Sequence, residues 1–355
     1  MLTSYQDPPP RRRNEQLILL AAALIVAGII LARLADVILM AFGAVLAAVL
    51  LQALSEPLQR YGRLPRPAAL AMAVLIVAAS FGLTVWVFGR EAEAQFAALS
   101  RLLPRAWGAF QARLSQSVAG ETLLGQLREL NGGGWLLAMG PRLAAQVASA
   151  LAGTVIVLFA GLYLAFHPRS YIEGALLLLP REARARARDL LGATFLALKR
   201  WLLGQLISML LVGFTAGLGL ALAGVPSAAA LGVIAGLGQF IPVIGPMAAA
   251  VPGLLVSLSE GPETFFWALA VYLGAAQLEA NVITPLILRQ LAQLPMALGL
   301  FAVLAMGVLL GPLGVAFATP LALVAYVIVK TVYVEGVLGE APSQTSARDL
   351  RRMAE

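Results

Sequence analysis

The 355-residue chain is long enough for two soluble domains, but with 60% hydrophobic and 12% charged residues and a mean hydropathy of +0.87 it has far too much apolar surface for a soluble interior. The net charge of +7 comes from basic residues at the ends of apolar runs, which points to lipid headgroups and away from nucleic acid. There is no cysteine and one histidine, His167, which excludes disulfides, thiolate chemistry and a histidine-rich metal site.

Residues 1–16 read as a cytoplasmic tail, with Arg11, Arg12 and Arg13 ahead of the first apolar run. That run carries no convincing cleavage site, so a retained span is expected rather than a removed signal. A helix needs about 20 apolar residues to cross the hydrocarbon core. Six runs qualify as full spans: Leu17–Ala32, Val37–Leu54, Ala68–Phe88, Ala145–Phe166, Leu202–Ala223 and Thr264–Leu288. Arg33 and Asp36 predict a tight outer turn between the first two. Residues 17–89 then form the first group of membrane helices.

Arg60, Arg63 and Arg66 follow the second run, and the segment 167–200 holds seven further basic residues. If each run crosses once, these groups share the side of the N-terminus, which the positive-inside rule makes cytoplasmic. Residues 90–144 fall outside, with six arginines against four glutamates and apolar residues at helical spacing. They are predicted to form an external amphipathic helical segment. Residues 145–166 are a span ending at His167-Pro168. Residues 167–200 hold a basic amphipathic helix starting after Pro180, and 336–355 are a cytoplasmic tail.

Beyond residue 225 the apolar runs become short. Pro226–Ile241 meets Pro242, Gly245 and Pro246 before Met247–Leu258, and Met296–Leu310 meets Gly311, Pro312 and Gly314 before Val315–Val329. Such pairs predict two broken or re-entrant helical hairpins, making the fold class an all-α polytopic membrane protein. A proline leaves the carbonyl four residues earlier without its helical donor. At bilayer depth such backbone is tolerated where protein buries it or it lines a polar cavity, and transporters place binding sites at such interruptions. These residues are the candidate hinges or gates, together with Pro285.

Near the middle of the Thr264–Leu288 run stand Gln277, Glu279, Asn281 and Thr284. At 100° per residue Gln277, Asn281 and Thr284 share a helix face, with Glu279 roughly opposite. The amide and hydroxyl stripe, with Gln239, suits a polyol-like solute or a cation. A carboxylate at bilayer depth costs at least about 2.5 kcal/mol unless paired, protonated or hydrated, so Glu279 is the candidate ion-coupling group. There is no Gly-x4-Gly-Lys-Ser/Thr loop, no HExxH motif and no nucleophile constellation, so no enzyme activity and no cofactor are expected.

At these residues the chain resembles the autoinducer-2 exporter family, also called PerM-like permeases. The resemblance is strongest over 201–335: Leu203-Gly204-Gln205, Leu222–Pro226, Gly236–Pro246, Gln277–Pro285 and Gly311–Pro320. Gln239 stands where relatives often carry asparagine. The resemblance implies a multi-span inner-membrane exporter with cytoplasmic termini and homo-oligomeric assembly, linked to autoinducer-2 efflux in some members and sodium/proton exchange in others. Three functions follow as expectations: export of a small polar solute, cation/proton antiport through Glu279, or a scaffold or regulator that moves nothing.

Overall fold

The computed structural model describes residues 10–84, 86, 152–241, 244–283 and 296–339, with side chains from residue 34. The expected external segment 90–144, the tail 340–355, Pro242, Thr284 and Pro285 lie outside the described residues. The described elements are helical: α1 Pro10–Arg60, α2 Arg66–Thr84, α3 Ala152–Phe166, α4 Pro168–Leu177, α5 Arg181–Leu222, α6 Ala228–Gly238, α7 Ile244–Glu260, α8 Pro262–Leu278 and α9 Met296–Ile328. Two π-helical stretches, Glu279–Ile283 and Val329–Val334, continue α8 and α9.

Two expectations are corrected by unbroken helices. The turn at Arg33–Asp36 does not form: α1 runs for 51 residues through it. The segment Ala-Arg-Leu-Ala-Asp contains no Gly or Pro, and a charge alone does not break a helix. The first two expected spans are therefore one helix, and the sidedness count built on two separate crossings does not carry over. Likewise the basic helix 181–200 and the span from Leu202 are one 42-residue helix, α5, about 63 Å long at 1.5 Å per residue. The boundary expected at residue 200 falls inside it. The arginine-rich half of α5, called the stalk below, is thus continuous with the apolar half that follows it.

Among the described residues, α2, α5, the Leu34–Arg60 part of α1 and the 297–334 element are each long and apolar enough to cross a bilayer, and the pair α3–α4 adds a fifth if counted as one span. Parts of the six expected spans, residues 87–88, 145–151 and 284–288, lie outside the described residues. The pair bends by 86° at His167, where Pro168 occupies the first turn of α4. Apolar side chains point outward along these helices, with Phe214 69% and Val308 88% exposed. This is the pattern of a protein whose outer solvent is lipid.

The helix α5 is the central post. Leu198 and Leu202 pack with Leu46 and Val49 of α1 and with Leu323 and Val327 of α9. Further along, Leu220 packs with Val225, Leu231 and Ala268. An ion pair between Lys199 and the Glu56 carboxylate ties α1 to α5 where the stalk begins.

At the far end α5 stops in a Schellman turn. Gly224 takes φ +73, Gly224 N–H donates to Ala221 O and Val225 N–H to Leu220 O, and buried Val225 packs on Leu220. The reversal lays α6 against α5 through glycines. A Cβ built on Gly232 would fall 2.6 Å from Gly217 Cα and 2.7 Å from Gly213 O. One on Gly236 would fall 2.6 Å from Met209 O. Gly213/Gly217 and Gly232/Gly236 are thus paired small-xxx-small faces.

The expected breaks fall where the Pro and Gly residues stand. Between α6 and α7 the chain reverses tightly: Gly245 lies against Gly238, whose own Cβ would meet Ala249 Cβ at 2.7 Å. In α9 the helix is interrupted at Gly311, with φ 65 and ψ −152, a region open in practice to glycine only. The two arms fold back there: a Cβ on Gly307 would sit 2.9 Å from Val315 Cγ2, and Gly314 abuts Met306 O. The arm before Gly311 falls short of the roughly 30 Å of a hydrocarbon core at 1.5 Å per residue, whereas the arm from Pro312 with its π-helical end to Val334 is about that long.

Candidate functional site

Among the described residues, the hydrogen bonds around the break after α6 locate the candidate site. Carbonyls of Ala235 and Gly236 accept from Gln239 N–H, Leu237 O from Phe240 N–H, Gly238 O from Ile241 N–H, and Ile241 O from Gly245 N–H. The Gln239 carbonyl is taken by a side chain from another helix: Gln205 Nε2 donates to it at 2.5 Å. Trp201 on α5 packs edge-on against Phe240, ring centroids 6.0 Å apart. The non-helical backbone is thereby pinned to α5 by an amide and an aromatic contact. Gln239 itself is 7% exposed, deep in the protein.

One turn along α5 from Gln205 stands Ser208, 5% exposed. Its Oγ has no hydrogen-bond partner among the described residues. Helical hydroxyls in apolar surroundings usually back-bond to a carbonyl three or four residues earlier. Thr215 does so on this same helix, to Leu211 O at 2.8 Å, as does Ser257 to Leu254 O at 2.9 Å. Ser208 does not. A buried polar atom left without a protein partner is costly, and a water or another polar molecule is what satisfies it. Tyr272 OH is a second such atom; its ring lies over Gly253 of α7, next to Pro252.

The α8 continuation enters the same level. Gly219 of α5 abuts Val271 of α8, and Ala216 packs with Ala275, so the helices run antiparallel. Stepping about 12 Å from the Gly219–Val271 contact reaches Leu211 on one helix and Glu279 on the other. The π-helical Glu279–Ile283 stretch touches α5. Such stretches recur at functional positions because they rotate the side chains that follow.

Gln277 and Asn281 are brought together as expected, Asn281 Nδ2 donating to Gln277 Oε1 at 2.8 Å. Both are exposed. One mutual bond leaves each amide with further donors and acceptors, directed away from the protein. Glu279 is half-buried. The π winding advances less per residue than an α-helix, so the face assumed for Thr284 does not follow from 100° steps, and Thr284 and Pro285 lie outside the described residues.

Gly245 is buried and Pro246 half-buried at the first break. Gly311, Pro312 and Gly314 belong to α9, which packs on α5 and α1, so the second break is a separate feature from the Gln205–Gln239 layer. Gln205 and Ser208 carry the geometry of the site, yet sequence reasoning gave them no role. The signal was the i, i+4 series Gly204, Ser208, Val212, Ala216, Leu220, which is the buried stripe of α5.

At the opposite end of α5, Leu222 and Ala223 with Glu263, Thr264 and Trp267 line an open cleft of about 550 Å³. No group of three or more potential metal ligands occurs among the described residues.

Several apolar helices of membrane-crossing length and an outward apolar surface define a multi-pass membrane protein. The profile of AI-2E family transporters matches residues 17–334, and the chain belongs to that family. It is similar to "Putative transport protein YueF" of Bacillus subtilis, 29% identical over 160 residues, covering 45% of this chain and 42% of that protein. It is also similar to "Putative transport protein MT0215" of Mycobacterium tuberculosis, 28% identical over 178 residues, 50% of this chain and 48% of the relative. The matched stretch thus spans under half the length of these relatives.

Proposed function

We propose that this protein is a secondary transporter that moves a small polar solute across the bacterial inner membrane, through the layer formed by Gln205, Ser208 and Gln239. The family-level candidate for the solute is autoinducer-2. The carrying observation is the Ser208 hydroxyl, buried beside an interrupted helix and without a protein partner. A polyol-like solute supplies hydroxyls that donate and accept. Gln277 and Asn281, with spare amide capacity, receive or release it. The Gly238–Gly245 reversal and the Gly311 break act as hinges, and the two interrupted pairs enter the membrane without crossing it straight. Driving force comes from the solute's own gradient or a coupled ion. The arginine-rich α5 stalk faces the cytoplasm under the positive-inside rule, and the protein assembles as a homo-oligomer.

The half-buried Glu279 at the start of a π-helical stretch supports a second reading, cation/proton antiport. Purified protein in liposomes separates the two. Under the solute reading, the Gln277→Ala/Asn281→Ala double variant lowers efflux of the responding solute about tenfold, equivalent to losing about 1.4 kcal/mol of stabilisation, while Glu279→Gln retains efflux. Under the antiport reading, Glu279→Gln abolishes proton-coupled cation flux. Absence of flux for every solute and ion gradient would leave a scaffold role instead.

A further inference from the structure

The sequence between α3 and the α5 stalk does something the transport reading does not use. Helix α4 leaves the α3 span at 86°, so if α3 stands across the bilayer, α4 lies along its surface. Its residues are sorted for that position. At helical steps Tyr171, Ala175 and the C-cap Leu178 recur on one line with Ile172 beside it, while Arg169, Ser170 and Glu173 fall opposite together with Leu177, and Leu179 follows in the turn. Among the described residues the apolar line is open: Tyr171 is 51%, Ile172 40% and Leu178 87% exposed. Leu176 is buried where α4 meets α5, which fixes the helix to the stalk.

The turn that carries the leucines is held in shape. Arg184 Nε donates to Leu179 O at 3.1 Å and its Nη2 to Leu177 O at 3.4 Å. The stalk then continues with Arg181 and Arg188, both exposed and without an acidic ion-pair partner among the described residues. Arg186 is committed elsewhere, donating to Val332 O at 3.0 Å. An apolar wedge beside unneutralised arginines, held at right angles to a span, matches the layered chemistry of a membrane interface: acyl chains below, phosphate above.

We infer that α4 and the Leu177–Leu179 turn form an in-plane paddle inserted into the interfacial layer of this protein's own bilayer, with Arg181 and Arg188 holding anionic phospholipid headgroups. The occupant is set by charge complementarity and by the right-angle exit from α3.

Because the chain has no cysteine, single-cysteine variants of the full-length protein report this directly. Leu178→Cys and Ser170→Cys, each carrying an environment-sensitive fluorophore, are reconstituted into vesicles of phosphatidylcholine alone or with phosphatidylglycerol. The paddle predicts that the probe at 178 is quenched several-fold more by doxyl-labelled lipid than by aqueous iodide, with the reverse at 170. It also predicts that phosphatidylglycerol deepens the signal at 178, and that Arg181→Glu/Arg188→Glu removes this lipid dependence. Iodide quenching at 178 equal to that at 170 would overturn the paddle. Equal insertion with and without phosphatidylglycerol would overturn the headgroup assignment. Neither readout depends on transport, so the result stands apart from the solute reading.

Discussion

Replacing Gly232 by leucine is expected to abolish the native helix packing, giving protein that elutes as aggregate on size-exclusion chromatography in mild detergent. Even a Cβ there would collide with Gly217 Cα and Gly213 O at 2.6 and 2.7 Å. Both are backbone atoms of α5, so no rotamer change relieves them. Separating the helices would in turn undo the Gly236–Met209 approach one turn away and pull Gln239 from Gln205. Overpacking a tight core costs about 1–3 kcal/mol and sometimes more. Without a hydrophobic driving force between helices in lipid, close packing is what holds the pair together. Gly232→Ala is the graded version and lowers the melting temperature with partial retention of fold. The same substitution at Gly274, where a Cβ meets nothing within 4 Å, serves as the control and leaves the melting temperature nearly unchanged.

The second large effect is on transport rather than assembly. Gln205→Leu keeps the bulk of the side chain and removes the donor to Gln239 O. A buried carbonyl left unsatisfied costs about 1–3 kcal/mol, and the reversal before Gly245 is expected to shift in response. Solute flux in liposomes is expected to fall at least about tenfold, the equivalent of about 1.4 kcal/mol, in protein that still elutes as a single species. Gln205→Asn, one methylene shorter, should fall short of the carbonyl and behave alike. Full flux in both variants would remove Gln205 from the account and leave its hydrogen bond as packing only.

The hydropathy pattern made the helical membrane class readable, and glycine and proline made both interruptions readable. Gly311 takes a conformation that other residues avoid, so its position announces the break. The merged helices were not readable. Charges at Arg33–Asp36 and Lys199–Arg200 look like membrane borders, but nothing in those residues opposes helical backbone, so α1 and α5 continue through them. That continuity joins the first two expected spans into one helix and the basic helix to the span that follows it.

The pairing of Gln277 with Asn281 was legible because two amides in an apolar run stand out and an i, i+4 spacing brings them together. The π winding after Leu278 was not legible, since local sequence specifies no such register. Ser208 was hidden for a different reason. A lone serine in an apolar helix is ordinarily satisfied by its own backbone, and only the tertiary arrangement reveals that this one is not. Gln205 was likewise one polar residue among many until the carbonyl it serves came into view.

Whether water and solute reach the centre of the molecule is best tested at Ser208. In otherwise native protein, which supplies no competing thiol, Ser208→Cys is a near-isosteric change. In sealed proteoliposomes the new thiol should react with a charged, membrane-impermeant methanethiosulfonate reagent, and the transported solute should slow that reaction. A thiol that ignores the charged reagent, yet reacts with a small lipid-permeant maleimide, would mean that Ser208 sits in a dry interior and that no polar path passes it.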